Sequence, residues 1–385
     1  MSMAYRELRK FVSPEVLFGQ GARNLLGPYA HRIGMTKVLV VTDPGVIEAG
    51  WVLPLVANLQ ANGVDALVFS DVHPNPSAEQ VMNGLTAYQD GGCDSIVAVG
   101  GGSPIDCAKG VGVVAANGDH VLHYKGVDMV ESPMPPLVCV PTTAGSGADV
   151  SQFAIISDPH HRLKTALVSK SLVPDLALVD PEPLTTMDSL LTAATGLDAL
   201  THAVEAFVSN ASWPLTDELA LAAMRRIPSA LERCIADGDD LEARAEMALA
   251  SLDAGLAFSN ASLGAVHALA HALGGLLDVP HGECNALLLG PVMRKTLTLQ
   301  PTARVEAIAA ALGVKTGSAP AADVARWLTE FPATVGLSPD PDGWGFASSQ
   351  IPGLAACADA DVCLATNPWD ATTEDLSEIL RDALS

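Results

Sequence analysis

Up to about residue 185, short runs of β-branched and aliphatic residues alternate with helix-length stretches. Val38–Thr42 runs into Asp-Pro-Gly, Ala66–Phe69 into a Pro/Asn turn, Ile96–Val99 into four small residues and Leu137–Val140 into Pro141. Apolar runs without polar alternation suit strands covered on both faces. The helix-sized spacers predict a parallel sheet joined by right-handed crossovers. Phe153–Ser157 and Thr165–Ser169, joined through Asp-Pro-His-His, read as a hairpin, and Leu176–Val179 as one more strand ending at Asp180-Pro181. From Thr185 onward the period changes. Ala, Leu and Glu dominate, apolar residues recur at three- and four-residue spacing, and Asp198–Val208, Asp217–Asp237, Leu241–Ala257 and Leu263–Leu276 read as helices. The expected organisation is an α/β domain over residues 1–185 and an all-helical domain over 186–385, with no internal repeat and no low-complexity tract.

Composition narrows the functional classes. The 385 residues carry 21 Lys plus Arg against 44 Asp plus Glu, a formal charge of −23. Nucleic acid and anionic membranes both demand cationic surfaces, so neither is an expected partner. No apolar run approaches the roughly 18 residues of a membrane span, and the start, MSMAYRELRKF, lacks the apolar segment of a secretory signal. Seven cysteines stand singly, without a C-x-x-C pair, as reduced thiols in a cytoplasmic protein would. Residues 330–385 hold ten acids and one Arg, read as a solvated acidic face.

Ile96-Val-Ala-Val leads into Gly100-Gly101-Gly102-Ser103-Pro104-Ile105-Asp106-Cys107-Ala108-Lys109. Glycines permit close approach of a ligand to the backbone, Ser103 is a suitable N-cap and Pro104 suits the first helical turn. The result is a bare loop followed by a helix N-terminus, which attracts phosphate. It matches neither the G-x-G-x-x-G fingerprint nor a P-loop. A second small polar loop, Pro141-Thr142-Thr143-Ala144-Gly145-Ser146-Gly147, follows the next strand. Ligands of open α/β sheets sit beyond the carboxyl ends of the strands, so the two loops together favour a nucleotide. Asp43, just past the first strand of the series, suits ribose hydroxyls and would repel a 2′-phosphate, which favours NAD over NADP. It is equally suited to opening a Pro-Gly turn.

Asp198 and His202 are four residues apart, a spacing that places both on one helix face. His267 and His271 repeat it, and His281 follows the break at Pro280. A carboxylate with several imidazoles suits Fe²⁺ or Zn²⁺ rather than Ca²⁺ or Mg²⁺. Ala268 after His267 excludes the metalloprotease helix H-E-x-x-H. A lone histidine on an apolar helix is commonly a satisfied core residue. Five candidate ligands are harder to dismiss, because burying Asp198 unpaired among Ala and Leu would cost several kcal/mol, ~2–7 for an ordinary polar group and more for a charge.

In this order and spacing, GGGSPIDCAK, PTTAGSGADV, GLDALTHAVEAF and GAVHALAHALGGLLDVPHG closely resemble the iron-dependent (group III) alcohol dehydrogenases, and the resemblance runs from Phe18 to Asn367-Pro368. It implies a Rossmann-like N-terminal nucleotide domain with an all-helical C-terminal domain, similar to dehydroquinate synthase, and Fe²⁺ (or Zn²⁺) with NAD as cofactors. The implied metal ligands are Asp198, His202, His267 and His281, with His271 as a proton-moving neighbour. Gly101, Gly102 and Ser103 match the pyrophosphate loop, Thr142, Thr143 and Ser146 the second cofactor loop, and Asp43 the adenine ribose. Asn75, Lys164 and Leu184 match positions near the nicotinamide half, and Phe153, Phe258 and Cys363 positions around the substrate. The implied activity is reversible hydride transfer between a small primary alcohol or aldehyde and NAD(H), in a homo-oligomer. Alternatives on this scaffold are a polyol dehydrogenase, a dehydroquinate-synthase-like activity, which the shortage of basic residues near the motifs disfavours, and a catalytically weak metal- and NAD-binding regulator. Departures are Ser-Gly-Ala-Asp-Val at 146–150, Phe153 in place of a polar residue, and Trp369 where Arg is common.

Overall fold

The computed structural model describes residues 8–384 and divides them into two compact units, Val12–Met187 and Asp188 onward, the latter joined by residues 8–11. The first unit holds nine strands: β1 (Glu15–Phe18), β2 (Lys37–Val41), β3 (Asp65–Phe69), β4 (Ser95–Gly100), β5 (Gly126–Val127), β6 (Leu137–Pro141), β7 (Phe153–Asp158), β8 (Leu163–Val168) and β9 (Leu176–Val179). Its helices are α1 (Leu26–Arg32), α2 (Pro44–Glu48), α3 (Val52–Ala61), α4 (Ala78–Asp90) and α5 (Gly102–Asn117).

Six strands form a parallel sheet in the order β1-β9-β6-β4-β2-β3. The alternation of side chains along each strand sorts them into two cores. Leu39, Val41, Ile96, Ala98, Leu137 and Cys139 pack on one side with residues of α4 and α5. Val38, Val40, Val97, Val99, Val138 and Val140 pack on the other with residues of α1 and α3. Every residue of β4 and β6 is buried, the outcome that continuous apolar runs require. β7 and β8 pair antiparallel, as the hairpin reading expects, and β5 extends them into a separate three-stranded sheet. β1 and β5 escape the pattern. The first is four residues long with both ends exposed, the second only two, and neither length carries a periodic signal.

The second unit is helical: α6 (Ser189–Val208), α7 (Pro214–Ala236), α8 (Leu241–Ala261), α9 (Ala265–Leu277), α10 (His281–Thr296), α11 (Thr302–Leu312), α12 (Pro320–Thr334), α13 (Ile351–Asp359) and α14 (Thr373–Ala383). α6 begins nine residues before the expected Asp198, because Asp188 caps it by accepting from the Leu191 N–H at 2.7 Å. From Thr192 to Val208 it is buried almost all round, as a central helix must be. Gly282 allows α10 to lie against it, since a Cβ there would fall 2.3 Å from the Ala194 carbonyl oxygen. That approach brings His281 onto α6. Among the described residues no helix is long and apolar enough to cross a membrane.

Candidate metal centre and cofactor loops

The candidate ligands come from three helices of the second unit. Asp198 and His202 lie on α6, His267 on α9, and His281 opens α10. The Nε2 atoms of His202, His267 and His281 each lie 3.7 Å from the same atom, Oδ1 of Asp198. These separations are too long for hydrogen bonds. They are instead near the edge length of a coordination polyhedron, since ligand bonds of about 2.1 Å at tetrahedral angles would set neighbouring donors roughly 3.4 Å apart. Donor atoms of Asp198, His267 and His281 all lie within 4.8 Å of one another. His202 stacks between Phe258 and His267, with ring centroids 4.3 and 4.6 Å away. The donor set and spacing fit a borderline divalent cation such as iron or zinc. Burial would push the Asp198 carboxyl up, but the charge on His202 and the flanking imidazoles of His267 and His281 hold it far below the carboxylate range. Burial would likewise lower His267, yet the Asp198 and Glu205 carboxylates raise it to about 9.

Behind the donors stands a supporting layer that the histidine spacing does not reveal. Glu205, on α6, is buried and accepts at 2.5 Å from Nδ1 of His267. It also accepts from the Val266 N–H at 2.8 Å, so one carboxylate caps α9 and orients its histidine. With the Nδ1 proton held there, Nε2 is the nitrogen that faces Asp198 and would give up its proton to an ion. Asn285, one turn into α10 and fully buried, donates through Nδ2 to Asp198 Oδ1 at 2.8 Å. The signals existed: Glu205 follows His202 by three residues and Asn285 follows His281 by four, both helix-face spacings.

His271 lies a turn beyond His267 and stacks on His281, centroids 5.4 Å apart. Its Nδ1 is 2.9 Å from Oδ2 of Asp361. Burial opposes ionisation of that carboxyl, but the charge and hydrogen bond of His271 bring it down to about 2. A carboxylate only accepts, so Nδ1 carries the proton of this hydrogen bond. Asp361 is the exception in an acidic stretch otherwise read as a solvated face. Phe258 is therefore beside the metal ligands and Cys363 beside His271 and Asp361. Phe153 belongs to the first unit, where it opens β7 and its carbonyl accepts from the buried Lys109 at 2.8 Å.

The remaining site candidates also lie in the first unit. Gly101–Ser103 follow β4, Thr142–Ser146 follow β6 and Asp43 follows β2, three neighbouring parallel strands that release these segments at the same end of the sheet. Ser103 is not the helix cap that its residue type suggests. Gly101 takes that position and the helix already begins at Gly102, without any side-chain cap. A glycine at the cap costs only a few tenths of a kcal/mol, ~0.2–0.5, and leaves the first-turn donors to a ligand. The two loops interlock, because a Cβ on Gly101 would lie 3.0 Å from Thr143 and one on Gly102 3.0 Å from Ser146. Asp43 caps α2, its Oδ1 accepting from the Val46 N–H at 2.9 Å, so the turn-opening role is realised. Asn75 adopts a left-handed backbone (φ 59°) in the segment after β3. Lys164 lies on β8, and Leu184 is buried in the short helical turn Glu182–Thr186.

Comparison with known proteins gives one answer along the whole chain. The family model described as iron-containing alcohol dehydrogenase matches residues 13–181, and that of the C-terminal part of the Fe-containing alcohol dehydrogenase family matches residues 192–384. The chain is 38% identical over 387 residues to the 1,3-propanediol dehydrogenase of Citrobacter freundii, covering 99% of this chain and 100% of that one. It is 36% identical over 378 residues to the NAD-dependent methanol dehydrogenase of Bacillus methanolicus, covering 97% and 99%. A crystal structure of 1,3-propanediol oxidoreductase superposes with a TM-score of 0.94 at 36% identity, covering 98% and 100%.

Proposed function

The chain belongs to the iron-containing alcohol dehydrogenase family, and on that premise we propose that it interconverts a small primary alcohol and its aldehyde, reversibly, with NAD(H) as partner. The observation that carries this reading is the convergence of three imidazole nitrogens on one carboxylate oxygen, each at 3.7 Å. When bound there, a divalent iron or zinc ion would supply Lewis-acid polarisation of the substrate oxygen, and the nicotinamide would supply the hydride acceptor.

The chain's own residues do the rest. Asp198, His202, His267 and His281 would hold the ion, and Glu205 keeps the Nδ1 proton of His267 so that Nε2 is the nitrogen offered to it. The buried ring of Phe258 excludes water behind His202. His271, its Nδ1 proton anchored on Asp361, takes up the alcohol proton at Nε2 and returns it in the reverse direction. Gly101, Gly102 and Ser103 offer uncapped backbone donors to the pyrophosphate, flanked by Thr142, Thr143 and Ser146. Asp43, Asn75, Lys164 and Leu184 belong to the same cofactor reading, and Phe153, Phe258 and Cys363 to the substrate. A cytosolic setting is supported by seven cysteines that stand as free thiols. Assembly into a homo-oligomer is supported by β1, an edge strand of the sheet with Phe18 exposed.

The test is NADH formation by metal-reconstituted protein over a panel of C2–C4 primary alcohols and diols. Turnover is expected on at least one, with His271→Ala slower but still metal-loaded. No turnover despite full metal and NAD occupancy would replace the enzyme with a regulator.

A further inference from the structure

Beside the first metal centre, the helical unit gathers a second set of donors with different chemistry. We propose that His271, Asp361 and Cys363 form an accessory site for a thiophilic divalent cation, Zn²⁺ in type, and that filling it takes His271 out of proton transfer. One donor atom from each residue lies within 4.8 Å of the other two. His271 Nδ1 and Asp361 Oδ2, now 2.9 Å apart in a hydrogen bond, need to spread by only about 0.5 Å to reach the roughly 3.4 Å edge between neighbouring ligands on a tetrahedral ion.

The three donors are held by backbone as well as by each other. The Cys363 N–H donates to Asp361 Oδ1 at 2.8 Å, which clamps the carboxylate onto the short helical turn Val362–Thr366 that carries the thiol. His271 is fixed opposite on α9, where it is buried like Cys363, whereas Asp361 is only half-buried and leaves a side for a water ligand.

Charge and softness decide what would bind. A divalent cation facing one carboxylate and one thiolate, with neutral imidazole, makes a buried assembly of zero net charge, which avoids the cost of an isolated buried ion. On binding, the S–H proton leaves to solvent as the metal–sulfur bond forms, the His271 proton passes through solvent from Nδ1 to Nε2 as Nδ1 takes the ion, and the Asp361 oxygen exchanges its hydrogen bond for the third metal–ligand bond. Thiolate selects Zn²⁺, Co²⁺ or Cd²⁺ over Mg²⁺ and Ca²⁺. The first centre, of three imidazoles and a carboxylate, contains no sulfur, so the two sites differ in kind. The inhibitory consequence rests on the proton-transfer role proposed above for His271; the metal site itself does not.

Cobalt separates these statements. Protein whose first centre is already filled is titrated with Co²⁺ while near-ultraviolet absorption, bound metal and turnover are followed together. A further equivalent of Co²⁺ should bind with a thiolate-to-cobalt charge-transfer band, and turnover should fall on the order of a hundredfold. Cys363→Ser, close to isosteric, should lose both the band and the further equivalent. Asp361→Asn, which keeps an oxygen for the Cys363 N–H, should weaken the site, with thermal melting confirming that both variants fold. No further equivalent, or a band that persists in Cys363→Ser, overturns the site. A band and a further equivalent with unchanged turnover overturn the inhibition and the role of His271, while leaving alcohol oxidation itself to the substrate panel.

Discussion

Glu205 is the residue on which the metal centre depends without touching the ion. Its two oxygens serve different masters: one takes the Nδ1 proton of His267, the other the Val266 N–H at the start of α9. Glu205→Gln separates these duties. The amide oxygen can still accept from the α9 backbone, but the amide nitrogen presents hydrogens to Nδ1 and drives the ring proton onto Nε2, where the ion must bind. Metal affinity should therefore drop about 10–100-fold, measured by competition against a chelator of known strength, while melting of the metal-free protein changes little. Equal affinity in Glu205→Gln would mean that the tautomer of His267 is set elsewhere. The five candidate side chains were legible in the sequence, because a histidine four residues from a carboxylate or another histidine is a geometric statement about a helix face and His281 follows the break at Pro280; the choice of four of them as ligands rests on the family resemblance. Their supports were less so. Glu205 and Asn285 sit at helix spacings from His202 and His281 but are of residue types common on any surface, and Asp361 was hidden among acids that are in fact solvated.

At the scale of elements, the inner strands of the parallel sheet were readable because burial on both faces writes itself as an uninterrupted apolar run. β2, β4, β6 and β9 fall on such runs within a residue or so at each end, and the edge strand β3, with Asp65 and Val68 exposed, falls on an apolar run as well. Caps were read less well where tertiary contacts choose among candidates: Ser103 yields to Gly101 at α5, where the chain reaches helical geometry two residues earlier beside the Thr143 loop. The last helix shows a cap that can be tested. Thr372 and Asp375 exchange hydrogen bonds in a capping box, and Asp375 also pairs with Lys295 of α10. The Lys295 ammonium and the Thr372 donors bring the Asp375 carboxyl down to about 2. Its folded value lies below the unfolded one of about 3.9, so the contribution to stability is complete above that value and disappears as the pH falls towards 2. The pair is partly exposed, which limits it to about 1 kcal/mol or less. In urea unfolding at pH 6 and pH 3, Asp375→Asn should be the less stable protein at pH 6, and the difference should shrink at pH 3. A constant difference would assign the effect to the cap geometry alone.

Taken as a whole, the chain divides its chemistry between its two units. All four candidate metal ligands and their supports come from α6, α9 and α10 of the helical unit, while the candidate cofactor residues Gly101–Ser103, Thr142–Ser146 and Asp43 belong to the α/β unit. A ligand stabilises the structure that binds it by RT ln(1 + [L]/Kd), about 4 kcal/mol at a thousandfold excess over Kd. That free energy is first felt by the elements that converge on the ion. Removing the metal with a chelator should therefore speed amide hydrogen exchange in peptides of α6, α9 and α10, whose mutual packing the ligands cross-link, and leave the strands β2, β4 and β6 protected as before. NAD should do the reverse, protecting the start of α5 and the loop after β6 while the metal-binding helices keep their rates. Mass spectrometry of exchanged peptides distinguishes this from a single cooperative block, in which chelation would lower protection in both units by the same free energy. Equal loss in β4 and α9 would show that the division of residues between the units is not a division of stability, and that the ion holds the entire chain.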